Sequence, residues 1–252
     1  MGNSVLLGMS GGVDSTASAI ILKEIGFEVT GATFILSDEE SFKKSVEDSK
    51  KAAKKIGINH IVLDYRDEFK KEVINYFVDE YSKGRTPNPC VICNKQIKFG
   101  KFIETADSLG IKYVATGTYA KVIEENDKYK IIKPANKNKD QTYFLYYLNQ
   151  SILKRVIFPL GNIQSKDLTR EIVKKANIEI YKKKDSQEIC FIKNAKYFDF
   201  ISNYSKINVK KGNFIDKNGN VLGKHNGLIN YTIGQRKGLG IALGKPAYVI
   251  DI

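Results

Sequence analysis

Residues 5–15 read VLLGMSGGVDS, an apolar run that passes through a glycine-rich turn into the start of a helix. Apolar positions then recur with a helical period over residues 14–25, and Gly26 ends that pattern. A buried strand followed by a tight turn and a helix is typical of the α/β class. Ligands of such folds lie at the carboxyl ends of the strands, so this stretch predicts both the fold and the position of a binding site.

The rest of the chain extends the α/β prediction and suggests a second domain. Further strands are predicted at Val29–Leu36, His60–Leu63 and Tyr113–Thr116, and further helices at Ser41–Ile56, Glu68–Tyr81, Lys95–Leu109 and Asp167–Ala176. A hairpin is predicted around Glu125–Asp127. This alternation predicts a doubly wound parallel sheet. From about residue 208 glycines recur among few helix formers, which predicts a catalytic domain at 1–207 and a small β-rich domain at 208–252.

The composition restricts the partners and the compartment. Lys and Arg number 41 against 28 Asp and Glu, a net charge of +13 over 252 residues, which favours a polyanionic partner. A generally lysine-rich composition explains the same excess equally well. No apolar run approaches the ~18 residues of a membrane span, and the N-terminus lacks the features of a signal peptide. We therefore expect a cytoplasmic protein without a membrane partner.

The glycine turn itself predicts phosphate binding. Glycines in Ser10-Gly-Gly-Val-Asp-Ser15 let backbone N–H groups approach a phosphate, and the helix N-terminus adds a positive dipole. Ser10 and Ser15 can donate hydroxyl hydrogen bonds, and Asp14 can hold a Mg²⁺ ion. No lysine follows the glycines, so the turn is not a Walker A loop. It resembles the loop of enzymes that cleave ATP between the α- and β-phosphates.

The three cysteines all fall in polar, turn-rich motifs, with Cys90 and Cys93 spaced as C-x-x-C and Cys190 about a hundred residues later. In a cytoplasmic chain this is not a disulfide framework. The pattern instead predicts reactive thiols. Lysines near them, at Lys95 and Lys182–Lys184, are predicted to lower the thiol pKa, although a solvated charge run explains Lys182–Lys184 equally well.

Further motifs follow in a fixed order, and they read Gly84-Arg-Thr-Pro-Asn-Pro-Cys-Val-Ile-Cys-Asn94, Lys139-Asp-Gln141, Ser186-Gln-Glu-Ile-Cys-Phe-Ile192 and Tyr231-Thr-Ile-Gly-Gln-Arg-Lys-Gly-Leu-Gly-Ile241. With the phosphate loop, they resemble the tRNA-specific 2-thiouridylase family over essentially the whole chain. The resemblance implies an ATP-dependent tRNA-uridine 2-sulfurtransferase acting on the wobble uridine of the anticodon. In that reaction the C2 oxygen is adenylated, pyrophosphate leaves, and sulfur then displaces AMP.

The resemblance also implies the site residues and partners. ATP, used with Mg²⁺, is implied to contact Gly8, Met9, Ser10, Gly11, Gly12, Val13, Asp14, Ser15, Phe34 and Gly117. The tRNA is implied to contact Asn88, Pro89, Cys90, Thr118, Lys139, Asp140 and Gln141, and Arg236 and Lys237 suit its phosphates. Cys190 is implied to carry a persulfide, and Cys93 to act as its thiol partner. The sulfur donor is a persulfide relay protein or inorganic sulfide, and DNA is not an expected partner.

Two residues depart from the family pattern. Cys90 stands where the family commonly has Asp, and Thr118 where it commonly has His. The chain thus lacks a carboxylate and an imidazole at two site positions, so the family's proton-transfer steps cannot be assigned to this chain. The gain is a third thiol. Cys90, Cys93 and Cys190 are predicted to hold three corners of a [4Fe–4S] cluster, leaving one iron open for sulfide. A zinc site is less favoured, because His60 is predicted to be structural and His225 lies in the β-rich domain.

Two other functions remain open at the level of sequence. One is a different ATP-pyrophosphatase, such as a ligase of the amidotransferase type, and the other is a non-catalytic tRNA-binding or sulfur-trafficking module. Members of the 2-thiouridylase family usually continue into a further β-barrel beyond Tyr248-Val-Ile-Asp-Ile252. We therefore expect weaker tRNA binding than in a longer relative, with ATP binding kept.

Overall fold

The computed structural model describes residues 3–183, 189–192, 197–205 and 210–252. Its strands are β1 (Ser4–Gly8), β2 (Glu28–Ile35), β3 (Asn59–Asp64), β4 (Tyr113–Thr116), β5 (Lys121–Glu125), β6 (Lys128–Ile132), β7 (Val156–Ile157), β8 (Gly212–Ile215) and β9 (Val221–His225). Five of them form one sheet in the order β3-β2-β1-β4-β7, with every neighbouring pair parallel. The predicted α/β class is therefore confirmed. The edge strand β7 was not predicted, because two residues carry no readable period.

Helices pack on both faces of this sheet. The helices that the structure describes along the whole chain are α1 (Val13–Glu24), α2 (Glu40–Ile56), α3 (Arg66–Phe69), α4 (Asn75–Ser82), α5 (Pro89–Cys93), α6 (Phe102–Ser108), α7 (Gln150–Leu153), α8 (Lys166–Lys175) and α9 (Tyr197–Ser205). In β1, Val5 and Leu7 pack with α1, α2 and α8, while Leu6 packs with the segment around Phe102 on the opposite face. A strand buried on both faces explains the continuous apolar run that opens the sequence.

Two of the helical segments contain π-helical turns. Lys70–Ile74 joins α3 to α4, and Asn94–Lys101 joins α5 to α6. The second segment is helical over nearly all of the predicted range, but it begins at Pro89 rather than at Lys95. Only the predicted start of this helix was wrong. Proline suits the first position of a helix because its missing N–H would have no intrahelical acceptor there. The earlier start places Cys90 and Cys93 on a helix rather than in a loop.

The chain divides into two compact units. One comprises Met1–Glu72 and Cys90–Gln187, and the other Val73–Pro89 and Glu188–Ile252. In the first, β5 and β6 form the predicted hairpin, whose turn residues Asn126 and Asp127 both have positive φ. The boundary predicted at 207/208 lies outside the described residues.

The second unit joins an aromatic helical part to a β-hairpin. The ring of Phe77 on α4 packs against Phe191 and Phe200 at centroid distances of 5.4 and 6.5 Å. Strands β8 and β9 pair antiparallel around a turn in which Asp216 accepts backbone hydrogen bonds. This hairpin confirms the β-rich character predicted for the end of the chain. In the part of the chain that the structure describes, every helix is too short or too polar to cross a bilayer.

Candidate active site

The loop between β1 and α1 is closed by its own hydroxyl groups. The backbone N–H of Ser10 donates to Ser15 Oγ at 3.1 Å, and Ser15 Oγ donates to the carbonyl of Gly12 at 3.2 Å. Gly11 has φ +64°, a left-handed conformation that favours glycine, and Gly12 is the N-cap of α1. The sequence Ser10–Ser15 therefore folds into the predicted strand–turn–helix arrangement, with the free N–H groups of a helix start at its centre.

At two positions around this loop, neighbouring atoms leave no room for a side chain, so only glycine fits there. A Cβ on Gly117 would lie 2.8 Å from the nitrogen of Ser15 and 2.9 Å from the carbonyl carbon of Asp14. A Cβ on Gly11 would lie 2.8 Å from Cβ of Asp48. Gly117 follows β4, which pairs with β1 next to Gly8, so the sheet brings the two loops together. Gly117, which the family resemblance implies to contact ATP, therefore lies against the phosphate loop.

Asp14 is held by residues that sequence reasoning missed. Lys166 Nζ donates to both carboxylate oxygens at 2.7 Å, and the hydroxyl of Tyr119 donates to Oδ1 at 2.9 Å. Tyr119 is buried, and its hydroxyl also hydrogen-bonds Thr169 at 2.8 Å. Lys166 is mostly buried, with 15% of its side chain exposed. The carboxylate proposed for Mg²⁺ is thus already paired with a cation from helix α8.

A second lysine reaches the other side of the loop. Lys183 Nζ donates to the carbonyl of Gly11 at 3.0 Å and to Asp48 Oδ2 at 2.9 Å. The sequence assigned Lys182–Lys184 to the thiols, whereas the structure places the ammonium of Lys183 at the phosphate loop. Lys184 lies outside the described residues. The structure therefore supplies from afar the positive charge that the loop sequence lacks.

Phe34 forms an apolar wall beside the loop. A Cβ on Gly8 would lie 3.5 Å from its ring, and the ring packs edge-on against Phe102 at 4.9 Å and against Tyr65 at 5.5 Å. It lies near the carboxyl end of β2, where the predicted ligand site of the sheet lies. An aromatic surface next to phosphate-binding N–H groups suits the base and sugar of a nucleotide.

The first cysteine motif is carried on α5. Cys90 is exposed and Cys93 is buried. Asn94 is also buried, and its amide donates to the carbonyl of Cys90 at 2.7 Å, which ties the first turn of the helix together. Asn88 is exposed and Pro89 is buried just before it. The π-helical turn that begins at Asn94 is a feature that often accompanies functional sites.

Cys190 belongs to the other compact unit. It is exposed, and it directly precedes Phe191 and Ile192, which are both buried. The packing of Phe191 against Phe77 anchors the backbone next to the thiol. Ser186, Gln187 and Glu188 of the same motif lie outside the described residues. Among the described residues no three His, Cys, Asp or Glu side chains form a metal-binding group.

The Lys139–Gln141 motif is connected to the phosphate loop through Tyr119. Gln141 Oε1 accepts the backbone N–H of Tyr119 at 2.9 Å, and the Gln141 N–H donates to the Tyr119 carbonyl at 3.2 Å. Asp140 accepts hydrogen bonds from the hydroxyl and N–H of Thr142, which hold the pKa of its carboxyl below the usual range. Tyr119 thus joins a motif assigned to tRNA with the carboxylate of Asp14.

The remaining predicted contacts differ in accessibility. Thr118 is buried, and its hydroxyl hydrogen-bonds Thr116 at 2.9 Å. Arg236 and Lys237 are exposed in the second unit. His225 is partly exposed and packs against the rings of Phe214 and Tyr231.

His60 also takes the structural role predicted for it. Its Nε2 hydrogen-bonds the hydroxyl of Thr33 at 2.9 Å on the neighbouring strand. Burial, and then the charge of Lys50, lower the pKa of its imidazole. The imidazole therefore stays neutral to lower pH than an exposed histidine.

Comparison with known proteins identifies the family. Residues 3–194 match the tRNA methyl transferase HUP domain family and residues 199–252 the tRNA methyl transferase PRC-barrel domain family. The chain is 52% identical to tRNA-specific 2-thiouridylase MnmA 2 of Clostridium tetani, over 98% of this chain and 72% of that protein. It is 51% identical to tRNA-specific 2-thiouridylase MnmA 1 of Clostridium botulinum, over 100% of this chain and 73% of that protein.

A solved structure agrees with the fold. The U34-tRNA thiolase NcsA from Methanococcus maripaludis, solved with its [4Fe-4S] cluster, superimposes with a TM-score of 0.50 at 18% identity, covering 82% of this chain and 66% of that one. At this identity the likeness concerns the fold alone. The curated relatives favour thiolation over the ligase and the non-catalytic alternatives. By sequence identity over its whole length, the chain belongs to the tRNA-specific 2-thiouridylase family.

Proposed function

We propose that this enzyme uses ATP to activate the C2 oxygen of a uridine in tRNA, at the wobble position of the anticodon, and replaces that oxygen with sulfur. Membership of the family supports the reaction. The main structural support for the mechanism is the phosphate loop. Ser10 and Ser15 close this loop, and Lys166 and Lys183 flank it. Such a site suits the polyphosphate of ATP.

The activation step follows from the charges at this loop. The uridine C2 oxygen attacks the α-phosphorus of ATP, the bond to the β-phosphate breaks, and pyrophosphate leaves with its electron pair. N–H groups at the start of α1 and the ammonium groups of Lys166 and Lys183 would stabilise the negative charge of that leaving group. Ion pairs with Asp14 and Asp48 position these two lysines beside the loop.

The sulfur step requires two thiols. In the proposed route a persulfide on Cys190 attacks C2 through its terminal sulfur, and AMP leaves. The thiolate of Cys93 then attacks Sγ of Cys190, which releases 2-thiouridine and leaves a Cys93–Cys190 disulfide. If Cys93 attacks first, hydrosulfide is released and itself attacks C2. An external thiol reductant must restore both cysteines, and a persulfide relay protein must transfer its outer sulfur to Cys190. Inorganic sulfide, which is already fully reduced, would instead attack the adenylated C2 directly, and AMP would leave.

Bound metal ions are separate proposals. Mg²⁺ would accompany ATP and reduce its charge, and Asp14 is the carboxylate of the loop that suits it, once Lys166 turns to the phosphates. A [4Fe–4S] cluster on Cys90, Cys93 and Cys190 would supply an iron that holds sulfide. Thiolates are the usual ligands of such clusters, and these three cysteines would hold it. Iron and sulfide analysis after anaerobic purification tests it.

The tRNA contacts are proposed from exposure and charge. Asn88, Cys90 and the Lys139–Gln141 motif would approach the target base, while Arg236 and Lys237 in the 208–252 region would contact phosphates. The buried Thr118 would act by shaping the loop after Gly117, since its hydroxyl pairs with Thr116. The reaction is proposed to occur in the cytoplasm, where tRNA, ATP and sulfur donors are available.

An anaerobic reaction with tRNA, ATP and sulfide tests the function directly. We expect tRNA-dependent release of pyrophosphate and 2-thiouridine in the digested tRNA, measured by mass spectrometry of the nucleosides. Omission of ATP should abolish the product. Pyrophosphate release that does not depend on tRNA, with no thiolated nucleoside, would refute the proposal.

A further inference from the structure

Three tyrosines are exposed directly after the Lys139–Gln141 motif. Tyr143, Tyr146 and Tyr147 have exposed fractions of 63%, 65% and 47%, whereas the apolar residues between and after them are buried. Those buried residues are Phe144, Leu145 and Leu148. The segment therefore has an apolar side that anchors it in the core and a side that presents aromatic rings to solvent.

These rings lie close to a lysine on the cysteine-bearing helical segment. Lys95 Nζ lies 4.7 Å from the ring centroid of Tyr147, a cation–π distance, and Lys95 follows Cys93 by two positions. The rings of Tyr146 and Tyr147 have centroids 4.6 Å apart and are tilted by 37°. All of these residues belong to the same compact unit as Cys90 and Cys93.

We propose that Tyr143, Tyr146 and Tyr147, together with Lys95, form a stacking surface for unpaired nucleobases of the tRNA. Single-stranded RNA is recognised by aromatic rings that stack on its bases and by cations that contact its backbone. The tyrosine surface, as we call these four residues, offers both. The inference rests on the proposed function and extends it from the target uridine to neighbouring loop nucleotides.

Charge favours RNA over a protein as the occupant. The chain carries a net charge of +13, so a polyanion is attracted to it, and the only charged residue of the tyrosine surface is a lysine. A ring that stacks on a base needs an accessible face, and Tyr146 is the most exposed of the three rings.

The test is tRNA binding by the full chain carrying Tyr146→Ala and Tyr147→Ala together. We expect the dissociation constant for tRNA to rise by about 10- to 100-fold, which corresponds to about 1.4–2.7 kcal/mol, because stacking on the two rings is lost. The paired Tyr→Phe variant should bind like the wild type, because a phenyl ring still stacks. The dependence of the dissociation constant on salt should keep its slope in the alanine variant, whereas a lost phosphate contact would reduce that slope.

Controls separate this inference from the proposed function. Tyr248→Ala removes an equally exposed tyrosine in the other unit and should leave tRNA affinity unchanged. ATP affinity, measured in parallel, reports whether the variants remain folded. If the wild type binds no tRNA, the proposed function fails. If the wild type binds tRNA and the alanine variant binds it equally well, the tyrosine surface is overturned, and a defect confined to sulfur transfer from a protein donor would overturn it in favour of protein docking.

Discussion

The phosphate loop and the cysteine motifs differ in how completely the fold assembles them. The loop is fixed within one compact unit by contacts from Gly117, Tyr119, Lys166 and Lys183. The cysteines are divided, with Cys90 and Cys93 in that unit and Cys190 in the other. The groups proposed to stabilise the leaving pyrophosphate are therefore held together within one unit.

In the proposed route, adenylation uses groups of one unit, whereas sulfur transfer uses cysteines of both. Charge stabilisation in a transition state is most effective when donors are already in place, which suits the loop. In the proposed route, sulfur transfer instead uses a thiol of each unit, and the two thiols react in turn. We therefore expect substitutions in the two regions to separate adenylation from sulfur transfer.

The largest effect is expected from replacing a cysteine of the transfer step. Cys190→Ser and Cys93→Ser should each abolish 2-thiouridine formation, because a hydroxyl carries no persulfide and attacks no disulfide sulfur. Pyrophosphate release with tRNA should persist, since the phosphate loop is intact. Nucleoside mass spectrometry and a pyrophosphate assay measure the two steps on the same sample.

Cys90→Ser decides between the two sulfur routes. A persulfide route through Cys190 and Cys93 should tolerate the change, whereas a cluster held by all three thiols should lose iron and activity together. The proposed separation of adenylation from sulfur transfer would be wrong if Cys190→Ser also stopped pyrophosphate release. That result would show that the two regions act as a single site.

The next largest effect is expected at Gly117. Gly117→Ala would force a methyl group within 2.8 Å of the nitrogen of Ser15 and displace the loop. We expect about 1–3 kcal/mol of destabilisation, a fall in melting temperature of several degrees and a severe loss of ATP affinity. Scanning calorimetry measures the melting temperature, and titration calorimetry measures the ATP affinity.

Gly8→Ala is the matched control for stability. Its added methyl would lie 3.5 Å from the ring of Phe34, an ordinary contact distance, so the melting temperature should change little. An equal fall in melting temperature for both variants would contradict the preorganised loop.

A smaller effect is expected from Lys166→Ala. Loss of a charged donor should weaken ATP binding by about 10- to 100-fold, because charge-assisted hydrogen bonds contribute about 1.5–3 kcal/mol. Affinity for AMP should be nearly unchanged, since AMP lacks the β- and γ-phosphates. Titration calorimetry with both nucleotides makes the comparison.

Two variants show whether charge is the cause. Lys166→Arg should recover much of the ATP affinity, and Lys175→Ala, which removes an exposed lysine paired with Glu171 on the same helix, should have no effect. An equal loss of ATP and AMP affinity in Lys166→Ala would point to a collapsed loop instead of a lost phosphate contact.

The smallest effect concerns His60 on β3, the edge strand next to β2. Burial lowers the pKa of its imidazole from 6.5, so below pH 6.5 the unfolded chain binds more protons than the folded one. Stability contributed by neutral His60 is fully present above pH 6.5 and is lost progressively as the pH falls from 6.5 through the lower pKa of the folded state. His60→Gln should therefore show a shallower fall in melting temperature between pH 7 and pH 5. A steeper fall in the variant would contradict this.

Much of the fold was readable because its signals are local. The apolar run 5–8, the glycine turn and the helical period after it each reflect neighbouring residues, and they predicted the sheet and the phosphate loop. The start of α5 at Pro89 was missed because the motif Thr86-Pro-Asn-Pro89 reads as irregular. Proline at a first helical position looks, in sequence, like any other helix-breaking proline.

The α/β class, the phosphate loop and the family can be predicted from the sequence alone, because each depends on residues adjacent in the chain or on motifs in order. The distant side chains that contact the loop can be identified only from the tertiary structure. Lys166 and Lys183 reach the loop from 152 and 172 residues away, and Tyr119 reaches Asp14 from 105. Such pairs carry no local pattern, since their meeting depends on how parallel strands and their helices pack around one edge of the sheet.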